Sequence, residues 1–247
     1  MPLHTLEICI DSIASAIAAQ KGGAHRVELC DNLVEGGTTP SMGMIDLCKQ
    51  KVSLGIMVMI RPRGGDFLYD DEEFEVMAND ILYAKNAGVQ GVVLGMLLPD
   101  GRVDKPRLEQ LIRIARPMEV TFHRAFDMTP DPFRALDDLI DLGIDRLLTS
   151  GQEAEAVAGI ELIARLVERA GNKISIMPGG GINESNIHRI ISATGVTECH
   201  STAKDRVASQ MNYQNPKVYM GSPGSAEYER WIVSESRVKS LLSNAKE

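Results

Sequence analysis

Short apolar runs alternate with amphipathic segments along most of this chain. Residues 6–10, 26–30, 56–60, 91–94, 120–122, 146–149, 174–177 and 197–200 are brief and mostly rich in Val, Ile and Leu, the pattern of parallel strands buried on both faces. Between them, residues 12–20, 41–51, 71–86, 104–115, 132–141, 154–170 and 184–193 carry helical spacing. Gly22-Gly23, Gly88, Gly143 and Gly195 supply the turns that return several helices to the next strand.

Strict alternation predicts a parallel sheet covered by helices, and eight units in 247 residues predict a (β/α)₈ TIM barrel in a single domain, 1–247, without a linker. A doubly wound dinucleotide fold would place G-x-G-x-x-G after the first strand, where this chain has Cys9-Ile10-Asp11-Ser12-Ile13-Ala14. The last unit is irregular. Segment 201–233, with Met211, Tyr213, Tyr219 and Trp231, precedes the final helical stretch 234–244 and reads either as a cap on the barrel mouth or as an oligomer contact.

Alternation along each strand assigns faces, because successive side chains point to opposite sides. Leu6, Ile8 and Ile10 then face the helices while Glu7 and Cys9 point inward. On the second strand Val27 and Leu29 face out, and Glu28 and Cys30 face in. Met57, Met59 and Arg61, then Thr121 and His123, then Glu198 and His200, complete the inward set. Glu7, Glu28, Arg61, His123, Glu198 and His200 are expected to converge. Breaking a buried ion pair costs about 3–5 kcal/mol, so Arg61 is expected to pair with Glu7 or Glu28. The charges serve either to hold the barrel's upper layer in register or to form a site, with Glu7, Glu28, Arg61, His123 and His200 as candidate catalytic groups.

Composition narrows the partners. The chain has 26 basic and 34 acidic residues, a formal charge of -8, and no Lys/Arg cluster, which argues against nucleic acid. It has no stretch of membrane-span length and no signal-peptide pattern at its start, so a cytoplasmic protein without a membrane partner is expected. Four cysteines in a chain of this size fit reduced thiols.

Pro178-Gly179-Gly180-Gly181-Ile182-Asn183 follows the seventh strand and opens a helix in this reading, so backbone donors and the helix's positive end make an anion pocket. Ser201 and Thr202 from the eighth strand, Thr149 and Ser150 after the sixth, and Arg61 and Arg63 would add donors and charge. The alternative is a glycine turn forced by barrel geometry. Cys9 and Cys30, one strand spacing apart, are close enough to share a soft ion such as Cu(I), with Met57 and Met59 on the adjacent strand; otherwise they are small buried hydrophobes. Cys48 and Cys199 look structural, and His4, His25 and His188 lack ligand-like neighbours.

The runs Leu6-Glu7-Ile8-Cys9, Arg26-Val27-Glu28-Leu29-Cys30, Glu35-Gly36-Gly37-Thr38-Thr39-Pro40-Ser41, Ile60-Arg61-Pro62-Arg63-Gly64-Gly65-Asp66-Phe67, Thr121-Phe122-His123-Arg124-Ala125-Phe126-Asp127, Leu148-Thr149-Ser150-Gly151 and Met177-Pro178-Gly179-Gly180-Gly181 together resemble the CutC copper homeostasis proteins over nearly the whole chain. The resemblance implies a (β/α)₈ fold, a cytoplasmic location and copper binding, with Cys9 and Cys30 at the positions of that family's proposed Cu(I) ligands. It carries over no catalytic activity.

Two functional expectations follow. One is a Cu(I)-binding protein of copper homeostasis that uses Cys9 and Cys30. The other is a barrel enzyme of unspecified reaction on a small anionic or phosphorylated molecule at the mouth, with His123 or Glu28 as general acid or base. Lys204, just after the eighth strand, is the lysine nearest the predicted site, which gives a Schiff-base aldolase little support. Barrels of this kind often pair, so a homo-oligomer is also an expectation.

Overall fold

The computed structural model describes residues 5–218, 220 and 227–246; His4 and Tyr219 lie outside the described residues. Eight parallel strands form a nearly closed barrel: β1 (Thr5–Ile10), β2 (Arg26–Leu29), β3 (Gly55–Met59), β4 (Gly91–Leu94), β5 (Glu119–Phe122), β6 (Arg146–Thr149), β7 (Ser175–Pro178) and β8 (Glu198–Ser201). Their order is β7-β6-β5-β4-β3-β2-β1-β8, so chain neighbours are spatial neighbours and β8 returns to β1. Among the described residues no strand pairing joins β7 to β8. Side chains cross that seam instead, Ser175 Oγ donating to Glu198 Oε1 at 3.0 Å and Ser201 Oγ to the Ile182 carbonyl at 2.7 Å.

The connecting helices are α1 (Ile13–Gly22), α2 (Met42–Lys51), α3 (Asp71–Asn86), α4 (Lys105–Ala115), α5 (Pro132–Asp141), α6 (Ile160–Ala170) and α7 (Ile187–Thr194). Side-chain caps start several of them: Asp70 and Glu73 form a reciprocal capping box at α3, and Asp104 and Asp131 cap α4 and α5 ahead of a first-turn proline. Among the described residues no helix is long and apolar enough to cross a membrane.

Two helices begin later than their periodicity predicts. α6 starts at Ile160 because 150–159 folds tightly back over the barrel end; a Cβ on Gly159 would lie 2.0 Å from the Ser150 carbonyl oxygen. α7 starts at Ile187 because Asn183 and Asn186 first build a turn, Asn186 Oδ1 accepting from the Asn183 amide at 2.9 Å.

The irregular last unit holds an antiparallel pair, β9 (Lys204–Ala208) and β10 (Glu229–Val233), before α8 (Glu235–Asn244). Most of this pair is exposed, including Val207 and Trp231, and its root is tied to α1 where the Val233 amide donates to Ser15 Oγ at 3.2 Å.

The core is two-layered, as strand alternation requires. Leu6, Ile8, Ile10, Val27 and Leu29 pack outward against the helices, while Cys9, Cys30, Met57, Met59 and Val93 cluster inside the barrel. Burying each large aliphatic side chain contributes about 1.5–3 kcal/mol, and that outer layer fixes the strand phase that turns charge inward.

Candidate functional site

The lower interior of the barrel is an ion-pair network that the sequence reading did not include. Arg26 Nε donates to Glu7 Oε2 at 2.5 Å and its Nη2 to Glu198 Oε2 at 2.7 Å; Arg146 Nε donates to the same Glu198 oxygen at 2.5 Å. Arg26 shares the inward phase of Glu28 and Cys30, and Arg146 that of Leu148. Each is the first residue of its strand, where parity is easily discounted as a boundary. Glu198 belongs to this lower network and does not line the mouth.

Above the network a cavity of about 510 Å³ opens at the carboxyl ends of the strands. Glu28, Arg61, His123 and His200 line it, with Cys9 on its wall, so four of the six expected groups meet there. Glu7 sits fully buried between the network and the mouth, its Oε1 2.9 Å from His200 Nδ1. Burial alone would raise the Glu7 pKa, but Arg26 and His200 outweigh it and hold the carboxyl at about 2.

His200 joins the two carboxylates. Its Nε2 lies 3.6 Å from Glu28 Oε2, and although burial disfavours an imidazolium, Glu28, Cys9 and Glu7 raise its pKa well above the ordinary value. Burial drives the Glu28 carboxyl the other way from Glu7, well above the carboxylate range, with the Cys9 and Glu7 charges adding to the push against His200. The surroundings of these two glutamates on adjacent strands thus push their carboxyls in opposite directions.

Cys9 Sγ and Cys30 Sγ stand 3.9 Å apart as free thiols, both buried. The hydrogen bond between them lowers the Cys9 pKa and raises that of Cys30. Cys9, Glu28 and Cys30 place ligand atoms within 4.8 Å of one another, as do Glu7, Glu28 and His200. Cys48 and Cys199 are packed in the outer core, with burial pushing their thiols up to about 11 and about 12. His25 Nδ1 accepts from the Leu6 amide at 2.9 Å, which gives it a structural task.

Arg61 does not pair with Glu7 or Glu28. It stands beyond the end of β3, where loop 35–37 folds over it, and it donates to the carbonyls of Glu35 at 2.7 Å, Gly37 at 3.0 Å and Gly65 at 2.8 Å. Arg26, one strand closer to β1, takes Glu7 instead. Arg61 Cζ lies 5.0 Å from the centroid of the Phe67 ring, whose other neighbour is His123 at 5.0 Å between centroids. His123 Nδ1 accepts from the Ala125 amide at 3.2 Å, and burial together with the Arg61 charge pushes the imidazole down to about 3. His123 is therefore a neutral ring with its proton on Nε2, suited to donating a hydrogen bond rather than to taking a proton near neutral pH.

The predicted anion donors are distributed differently from the sequence expectation. Arg63 turns away from the mouth to Glu73, Asp66 and the Leu68 carbonyl. Thr149 and Ser150 already hold an internal anion, the Asp127 carboxylate, which accepts from Thr149 Oγ1 at 2.5 Å, Ser150 Oγ at 2.8 Å, the Gln152 amide at 3.1 Å and Arg124 Nε at 2.8 Å. Gly180 and Gly181 do line the cavity, but α7 starts well past them, so its positive end is not at the glycines. Gly179 is explained by packing, since a Cβ there would lie 2.5 Å from Leu148 Cδ1. Ser201 lines the cavity with its hydroxyl donated to Ile182. Lys204 also reaches the cavity, its Nζ 3.6 Å from Asp11 Oδ2.

These features define a (β/α)₈ barrel with a paired-thiol centre beneath a charged mouth. Residues 4–205 match the model of the CutC family, and the chain belongs to that family. A human protein named copper homeostasis protein cutC homolog is 49% identical over 242 residues, covering 98% of this chain and 89% of the human one. A Chromobacterium violaceum protein named family protein CutC is 50% identical over 236 residues, covering 96% of each chain. A crystal structure from Streptococcus agalactiae, described as that of a candidate copper homeostasis protein CutC, superposes with a TM-score of 0.77 at 39% identity, covering 82% of this chain and 99% of that one.

Proposed function

We propose that this protein binds Cu(I) through Cys9 and Cys30 and handles that ion as cargo in copper homeostasis, in a reducing compartment such as the cytoplasm. The observation that carries this reading is the pair of buried, unbonded sulfurs 3.9 Å apart on neighbouring strands. A sulfur–sulfur gap of this size would allow both side chains to hold one soft ion. Thiolate and thioether sulfur select Cu(I) over harder cations, and Met57 and Met59 share the thiols' cluster. His200 beside the pair lowers the Cys9 pKa, which favours the thiolate that a soft ion requires. The copper homeostasis names of the relatives support the same assignment. Anaerobic Cu(I) titration of the reduced protein against a chromophoric chelator, beside a Cys9→Ser/Cys30→Ser variant, tests it.

A further inference from the structure

The mouth is much larger than a copper ion needs. At about 510 Å³ it falls within the roughly 300–1,000 Å³ of small-molecule sites, and part of its wall is apolar, from Leu33, Met59, Phe67, Leu148 and Ile182. Three lining residues each carry a buried polar atom with no hydrogen-bond partner among the described residues: Arg61 Nε, His123 Nε2 and Glu28 Oε1. Buried polar atoms are nearly always satisfied by protein, water or ligand, so unpartnered ones on residues of a single cavity, two of them donors, point to a missing partner there.

The character of those atoms selects the ligand. His123 Nδ1 accepts from the Ala125 amide, which leaves Nε2 as an N–H donor. Arg61 Nε is also a donor, and the guanidinium behind it is held by the carbonyls of Glu35, Gly37 and Gly65, the Phe67 ring and the neighbouring Tyr69 hydroxyl; among the described residues it has no ion pair with a carboxylate within 4.0 Å. Carbonyls take the hydrogen bonds of its two Nη groups but do not cancel its charge, and a buried uncompensated cation is costly. The other acids at this mouth are committed elsewhere: Asp127 to Arg124, Thr149 and Ser150, and Glu35 to the Asn32 amide nitrogen. The Phe67 ring, between Arg61 and His123, holds both donors in place.

We propose that the barrel mouth is a binding site for a small organic oxyanion, a carboxylate or a phosphate monoester, whose charged oxygens take the Arg61 Nε and His123 Nε2 donors while its carbon body lies against the apolar wall. The site does not depend on the thiol pair, and metal-free reduced protein is sufficient to test it. Phenyl phosphate, phenylacetate and the neutral analogue 2-phenylethanol serve as probes, followed by calorimetry and by the side-chain ¹H–¹⁵N resonances of His123. Saturable one-to-one binding of either anion, with a shift of the His123 Nε2 resonance and no comparable binding of the alcohol, is expected; which anion binds distinguishes phosphate from carboxylate recognition. Losing one donor to a charged acceptor, in His123→Phe or Arg61→Gln, should weaken binding by about ten- to a hundredfold. The wild-type resonance shift decides the matter if neither variant folds. Absence of saturable binding by both anions at millimolar concentration, equal binding of the alcohol, or an unmoved His123 signal at saturation would overturn the proposal.

Discussion

Glu7 Oε1 lies 2.9 Å from His200 Nδ1 across paired strands β1 and β8, while the other oxygen of the same carboxylate accepts from Arg26 Nε at 2.5 Å. One fully buried carboxylate thereby connects the ion pairs at the bottom of the barrel to the imidazole at its mouth.

Removing that charge should be costly. A carboxyl held at about 2 against an ordinary 4.5 contributes roughly 3 kcal/mol at neutral pH, a large share of a stability of about 5–15 kcal/mol. Because the folded pKa is lowered, this stabilisation is complete above about pH 4.5 and disappears as the pH falls toward 2. His200 has the opposite sign: its raised pKa stabilises below its ordinary 6.5 and that contribution is lost as the pH rises through the folded value. Urea unfolding of Glu7→Gln should show a loss of about 3 kcal/mol at pH 7 and a flatter acid limb. A wild-type acid limb in the mutant would refute the coupling.

Asp127 should prove to be the internal anchor of the loop after β6. Its carboxylate collects hydrogen bonds from Thr149, Ser150, Gln152 and Arg124, and charged hydrogen bonds contribute about 1.5–3 kcal/mol each. In Asp127→Asn, an amide nitrogen faces donors. Hydrogen exchange at residues 149–156 is expected to accelerate ahead of the barrel strands, with at least about 2 kcal/mol of lost stability. Uniform protection across both regions would contradict this anchoring role.

Two glycines should behave oppositely. A Cβ on Gly159 would press into the Ser150 carbonyl oxygen at 2.0 Å and the Gly151 Cα at 2.8 Å, backbone atoms that cannot rotate away. Gly159→Ala is expected to cost about 1–3 kcal/mol and lower Tm by several degrees. Gly43, on the exposed side of α2 with open space around its Cβ position, should gain about 0.5–1 kcal/mol as Ala. Calorimetric melting of both variants checks the pair.

Parity along strands made much of this legible from residues alone. The outward Leu6, Ile8 and Ile10 fix the phase of β1, and that phase turns Glu7 and Cys9 inward; β2 and β8 repeat it for Glu28, Cys30 and His200. Parity turns Arg26 and Arg146 inward too, but as the first residues of their strands they are easily left out; it loses its reach at Arg61, past the end of β3, where loop 35–37 rather than the pleat decides its partners. Thr149 and Ser150 satisfy a carboxylate from the loop after β5, a long-range contact without a local pattern. The glycine loop after β7 suggested an immediate helix because its glycines were visible and the Asn183–Asn186 turn that delays α7 was not.

The proposed Cu(I) site at Cys9 and Cys30 is open to anaerobic titration against a chromophoric Cu(I) chelator, read together with X-ray absorption at the copper edge. One tightly held Cu(I) per chain with sulfur neighbours from both cysteines is expected, and its loss in Cys9→Ser/Cys30→Ser. Copper retained by that variant with unchanged affinity, or a first shell without sulfur, would contradict it.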